Sequence, residues 1–137
     1  MNDDTAAKPV FDISDFLTDA KAEVDGVWTN IGKGRELKLA RAKNEEANKV
    51  MRLKYRANRV VLEQDDDVAV ALNEELMIEV AARTLIRGVR VDGVEMAYDP
   101  ADGEKWLQNR DFREKIFALA NNIEAYRVKA EDSAVKS

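Results

Sequence analysis

The chain has 137 residues, 45% of them hydrophobic and 36% charged, and a formal net charge of −5, enough for one domain with a buried core. It contains neither histidine nor cysteine, which excludes a Ser-His-Asp triad, a Cys-His pair, a disulfide framework and the commonest zinc ligands. Carboxylates, lysine, tyrosine and serine are what remain for chemistry.

Residues 1–10 are small, charged and closed by Pro9, which predicts a flexible arm. The opening MNDDTAAKP is acidic and lacks the apolar centre of a secretion signal. No apolar run approaches the ~18 residues of a membrane span. Phe11 to about Glu23 reads as a short helix. Asp12 or Ser14 can cap it, Phe16, Leu17 and Ala20 form one stripe, and Phe11 can staple its start. Residues 27–31 and 36–40 then alternate in part. Gly32-Lys33-Gly34 between them supplies the positive-φ positions of a tight hairpin. Gly-Lys-Gly is no phosphate loop, because the Walker spacing and its Ser/Thr are missing.

Asn44 is placed to cap the next helix, with Glu45 and Glu46 in its first turn, where the helix dipole favours acids. Ala47, Val50, Met51, Leu53, Tyr55, Ala57, Val60, Val61 and Leu62 give it a broad apolar face as far as Glu63. Met51 and Tyr55 are expected in the core. The run Gln64-Asp65-Asp66-Asp67 interrupts this pattern. It lacks the glycine of the calcium-loop template, and acids at a helix N-terminus account for it without an ion. The helix it opens is expected to reach Arg87, with Leu72, Leu76 and Val80 in one row and Met77, Ala81 and Leu85 in the next. Gly88 stands where a left-handed C-cap belongs.

Val89 to Met96 alternates around Asp92-Gly93, a second hairpin signal. Asp99 caps and Pro100 takes the first position of a short helix, 100–107, that turns Trp106 and Leu107 inward. Asn109 or Asp111 begins the last helix, on which Phe112, Ile116, Leu119, Ala120, Ile123 and Tyr126 trace one stripe. Residues 128–137 lack periodicity and are expected to fray. The predicted fold is mainly α: a compact bundle of about four to five helices with one or two short β-hairpins. It forms one helical domain over 11–127, between an N-terminal arm (1–10) and a C-terminal tail (128–137).

Charge is segregated along the chain. Residues 1–32 carry seven acids and two bases, 33–62 ten bases and three acids, 63–82 seven acids and no base, and the remainder balances. Opposite blocks can neutralise one another across a helical hairpin as solvated faces. They can also present Arg52, Arg56 and Arg59, spaced i, i+4, i+7, as a docking surface for a partner. A third reading is nucleic-acid binding by the basic helix 49–59. The acidic total, the acidic helix that follows, and the lack of an RNA-binding or zinc-finger pattern count against it. A small enzyme built on Glu75, Glu79 and Lys54 has no spacing argument behind it.

One further feature is the order of parts from Leu85 to Arg127. A helix end is followed by Gly88-Val89, a turn at Asp92-Gly93, the cap Tyr98-Asp99-Pro100, Trp106-Leu107, and a final helix opening Asp111-Phe112-Arg113. Upstream, Trp28, Ile31, Leu37, Leu39, Ala40, Arg41 and Asn44 fit a Trp-hydrophobic strand and a return strand ending in Ala-Arg. This order resembles the tail assembly chaperones of long-tailed bacteriophages and prophages. Val89 stands where that family usually has tryptophan, and Asp99 where it usually has serine. The resemblance implies a non-catalytic protein of the host cytoplasm, absent from the mature virion and without cofactor or metal. It would bind the tape measure protein, keep it soluble and help bring tail tube subunits to it. Self-association is left open, and no membrane partner is expected.

Overall fold

The computed structural model describes residues 9–128. The predicted arm and tail fall largely on residues 1–8 and 129–137, outside the described residues. Among the described residues are α1 (Ala20–Asp25), β1 (Val27–Gly32), β2 (Arg35–Leu39), α2 (Glu45–Ala57), α3 (Arg59–Leu62), α4 (Asp67–Thr84), β3 (Ile86–Val91), β4 (Val94–Met96), α5 (Pro100–Leu107) and α6 (Arg110–Ala120). Short 3-10 turns cover Ser14–Phe16 and Ile123–Tyr126.

Both hairpins form where the turn residues place them. Gly32, Lys33 and Gly34 all have positive φ, as do Asp92 and Gly93. The expectation of a mainly α bundle is nevertheless wrong, because the two hairpins are one sheet. β2 pairs antiparallel with β3, giving a four-stranded sheet in the order β1-β2-β3-β4, and the fold is mixed α/β. Leu37 lies opposite Val89 and Glu36 opposite Arg90. Local periodicity cannot show such a pairing between strands some fifty residues apart.

Three predicted boundaries move for local reasons. The helix expected over 11–23 does not form as one piece. The Asp12 carboxylate accepts from Ser14 N at 2.9 Å, and Asp19 accepts from Lys21 N at 2.9 Å to cap α1 afresh, with extended backbone at Leu17 between them. Short polar side chains that bond their own backbone compete with helix in this way. The helix expected over 44–63 breaks at Asn58, whose Nδ2 donates to Lys54 O at 2.8 Å. The third helix stops at Thr84, and Gly88 is an interior strand residue instead of a cap. A Cβ at Gly88 would lie 3.1 Å from the Trp28 ring, so glycine lets that ring lie flat on the strand, with the Arg90 guanidinium 4.1 Å from its centroid.

Three predicted N-caps hold: Asn44, Asp99 and Asn109 each accept a backbone N–H in the first turn of the following helix, with Pro100 at the start of α5, and Asp66 of the acidic run does the same for α4. The core lies on one side of the sheet. Leu37 and Leu39 of β2 and Ile86 of β3 meet Ile78 of α4, Leu107 of α5, and Ile116 and Ala120 of α6. Strand alternation sends Trp28, Glu36, Lys38 and Arg90 to the other side, where Arg90 makes a bidentate pair with Glu36 at 2.8 and 2.9 Å. The predicted inward turn of Trp106-Leu107 holds fully for Leu107, whereas Trp106 stays partly exposed beside Tyr98.

The last helix, expected to carry its stripe as far as Tyr126, stops at Ala120; Tyr126 lies in the 3-10 turn beyond it, fully buried, its hydroxyl donating to Leu39 O at 2.9 Å. Burial, with a smaller push from Glu23 and against the opposing field of Arg41, raises this hydroxyl to about 12. Tyr98, which donates to Ala82 O, is raised by burial and by the nearby acids Asp102, Asp99 and Glu104. Because the fold favours the neutral phenol, that stability is complete below the ordinary tyrosine value of ~10 and is lost as pH climbs through the folded value. The urea midpoint is therefore expected to fall between pH ~10 and ~12. Tyr126→Phe should shallow that fall and lower stability at neutral pH by about 1–2 kcal/mol, as read by denaturation at each pH.

Candidate functional site

α4 is buried over most of its circumference, at Ala69, Leu76, Ile78, Val80, Ala81, Ala82 and Thr84, with Val68, Glu75 and Arg83 on the exposed remainder. A helix of that kind must be covered over most of its surface. The sheet, α5 and α6 cover part of it, and α2 covers another part. Lys54 of α2 is ion-paired to Glu79 of α4, and Arg113 of α6 to Glu74 of α4 at 3.3 Å. Between α2 and α6 the cover is incomplete. A groove of about 370 Å³ remains, floored by Met77, Val80 and Ala81 of α4. Met51 and Tyr55 of α2 form one wall and Phe117 of α6 the other, and Ala42-Lys43 lies at one end. Asn48 and Asn121 add amide groups at its mouth. Tyr55 donates to Asn73 Oδ1 at 2.5 Å.

The expectation that Met51 and Tyr55 are core residues is met only halfway. Met51 packs against the core from its edge, and Tyr55 is exposed over 40% of its surface. Arg52 and Arg56 directly follow these two groove residues, so the helix turn of about 100° per residue sets them on the outer rim of the same wall. Both are exposed, and neither belongs to an ion pair among the described residues. Lys49 is exposed on the same outer face, with Glu45 one turn before it, and Lys43 lines the groove end. Arg59 is separated from them. It lies past the Asn58 break, on α3, and faces Glu63 at 3.7 Å. The structure thus keeps Arg52 and Arg56 in one row and removes Arg59 from it.

The remaining candidates resolve into structural contacts. Lys54 and Glu79 join α2 to α4, and Glu75 is exposed without joining them. Asp66 caps α4 by accepting from Ala69 N at 2.9 Å. Among the described residues, no group of three acids, histidines or cysteines is arranged to hold a metal ion. The carboxyl of Glu23 is held below the usual range chiefly by the Thr18 hydroxyl, then by Arg41, and that of Glu36 by Arg90. Neither lines the groove. The opposite charge blocks pair only in part, through Arg41–Glu23, Lys54–Glu79 and Arg59–Glu63, which leaves the outer row of α2 a net cationic surface.

Sequence reasoning missed Phe117, Met77 and the two asparagines as groove residues. The available signal was Phe117, a large apolar side chain one position off the Phe112–Ile116 stripe, with nothing on its own helix to bury it. A second cleft, about 690 Å³, lies between the inner sheet face and α5–α6, against Val89, Met96, Trp106 and Phe112. Arg35 at its rim is turned back on the β1–β2 hairpin, donating to Gly32 O at 3.0 Å.

The family model described as YdaY prophage protein matches residues 36–137. No curated protein and no solved structure matches the chain. The resemblance to tail assembly chaperones is thereby overturned: most of the chain, including the whole Leu85–Arg127 stretch that carried it, matches a different family. No helix of the described residues is long and apolar enough to cross a membrane.

The groove wall should be cheap to alter in comparison with the core. Met51→Ala is expected to cost no more than about 1 kcal/mol, because Met51 faces solvent on one side. Leu39→Ala, at 0% exposure, should cost about 2–5 kcal/mol. Urea denaturation of the two variants checks the difference.

Proposed function

The chain belongs to the YdaY prophage protein family, and from that premise we propose that it is a non-catalytic protein-binding module. The site is the groove between α2 and α6, which receives an amphipathic helix bearing acidic side chains. What carries this reading is the open apolar groove between α2 and α6. A guest helix laid over Met77 would pack against Met51, Tyr55 and Phe117, which the domain leaves partly exposed. Methionine walls adapt to differently shaped guests. Arg52, Arg56 and Lys43 along the rim favour a guest with carboxylates on its solvent side and speed its capture more than they tighten it. The tape measure and tail tube partners were implied by the chaperone resemblance alone and are not carried forward.

The second reading, nucleic-acid binding, draws on the exposed cationic row of α2. The groove beside that row is lined by methionine, alanine and phenylalanine, which suits a helix better than a phosphate backbone.

Fluorescence anisotropy tests the choice, with three labelled probes on the full chain: an amphipathic helical peptide with an acidic polar face, its basic counterpart, and a short DNA duplex at low salt. The acidic peptide should bind most tightly. Arg52→Glu with Arg56→Glu should weaken it about tenfold while leaving the helical circular dichroism unchanged. Preference for the duplex would replace this reading with the nucleic-acid one, and equal, weak binding of all three would remove the groove from consideration.

A further inference from the structure

Residues 10–17, Val-Phe-Asp-Ile-Ser-Asp-Phe-Leu, hold five large apolar side chains that point into solvent. Phe11 is 95% exposed and Phe16 62%, and Val10, Ile13 and Leu17 are each at least half exposed. A contiguous apolar display of this size marks an interaction site in a soluble domain. The segment is short, so its two phenylalanines have no core of their own to enter. It is also held at its base. Leu17 O accepts from Val128 N at 3.4 Å, Thr18 bridges to Arg127, and Asp19 N donates to Tyr126 O at 2.7 Å, so residues from 17 onward are fixed to the domain while 10–16 project from it.

The same segment carries Asp12 and Asp15 and no base. The groove has the opposite character: an apolar floor with Lys43 at its end and Arg52 and Arg56 on its rim. We infer that residues 10–16 of one copy of this chain occupy the α2–α6 groove of a second copy. Phe11 and Phe16 would lie over Met51 and Phe117, and Asp12 and Asp15 would face the cationic rim. This inference rests on the groove reading above and adds a resting occupant, which an incoming partner helix must displace. A reciprocal exchange of two arms closes as a two-fold dimer; a one-way exchange builds open chains. Either arrangement covers the exposed phenylalanines of the arm and the exposed groove side chains Met77 and Tyr55 together.

Sedimentation equilibrium of the full chain over a concentration series tests this, using three proteins: wild type, an arm variant Phe11→Ala with Phe16→Ala, and a groove variant Arg52→Glu with Arg56→Glu. All four substituted side chains are exposed, so folding should be retained, and circular dichroism checks it. Wild type should self-associate, and each variant alone should do so at least about tenfold more weakly. Mixing the two variants should restore a one-to-one complex, because the arm variant keeps an intact groove and the groove variant an intact arm. A labelled peptide of residues 9–19 should bind the arm variant and compete with the acidic helical probe. A monomeric wild type, or an arm variant that associates as tightly as wild type, overturns the inference. A monomeric wild type that binds the 9–19 peptide more weakly than the arm variant does would point to the arm folding back on its own groove, and would overturn it equally. If the acidic helical probe binds and the arm peptide does not, this inference fails and the groove reading stands; if neither binds, both fail.

Discussion

The antiparallel pairing of β2 with β3 is the constraint on which the remaining architecture depends. Each hairpin is a local event set by its turn, but a two-stranded hairpin alone is marginal in water. Joining them makes a four-stranded sheet with one apolar face, and it forces everything between Leu39 and Ile86 into an excursion that leaves and returns to the same edge. The return is abrupt. α4 ends at Thr84 and β3 begins at Ile86, with Leu85 between them accepting from Ala40 N at 2.7 Å. The position of α4 over the sheet is thus fixed by main-chain bonds at its end.

The width of the groove follows from similar anchors. Just past β2, Ala42 N donates to Ala120 O at 2.8 Å, which holds the C-terminus of α6 against the segment that leads into α2. Tyr126 ties the following turn to Leu39. At the far end Lys54–Glu79 and Arg113–Glu74 brace α2 and α6 separately against α4. Partly exposed pairs of this kind contribute ~1 kcal/mol or less each. The spacing of the two walls therefore depends mainly on backbone geometry and core packing, and side chains on the walls are free to serve a guest.

What could be read in the sequence divides along the same line between local and distant causes. Asn44, Asp99-Pro100, Asn109 and the two glycine-bearing turns act through bonds to residues a few positions away, and each stands where the chain places it. Glu36 and Arg90 were visible only as charges, because their pairing needs the register of β2 on β3. Gly88 was misassigned for the same reason: with Trp28 out of view, a glycine after a long apolar pattern has the signature of a helix end. Of the three arginines spaced as one row, Arg52 and Arg56 lie on α2, and Arg59 falls on α3 because Asn58, a residue that helices tolerate, here uses its side chain to end one. The chaperone resemblance erred by the same mechanism. A helix, a tight turn, an Asp or Ser cap and a second helix are an order that capping chemistry produces repeatedly, so it recurs in families with nothing else in common.

The choice of a protein guest over a small ligand follows from what borders the groove. A small-molecule site gathers a few polar groups toward one point in an enclosed pocket. Here the polar groups run in a line along α2, outside the apolar floor, and the floor is bounded by two helices instead of being enclosed. Such a line can be answered only by something extended. A helix with carboxylates along one flank answers it well, and so, more briefly, does a segment with Asp12 and Asp15 set among phenylalanines. The groove rewards both in the same way, because covering Met77 and Tyr55, 38% and 40% exposed, removes hydrocarbon from water whichever guest does it. Their difference lies in the backbone. A helix arrives with all its hydrogen bonds made, while the arm brings only those of its one turn, Phe16 N to Ile13 O and Leu17 N to Ser14 O, and must leave the rest unpaired or give them to Asn48 and Asn121. A helical guest thus has the advantage over the arm in the same groove, as a displaceable occupant requires.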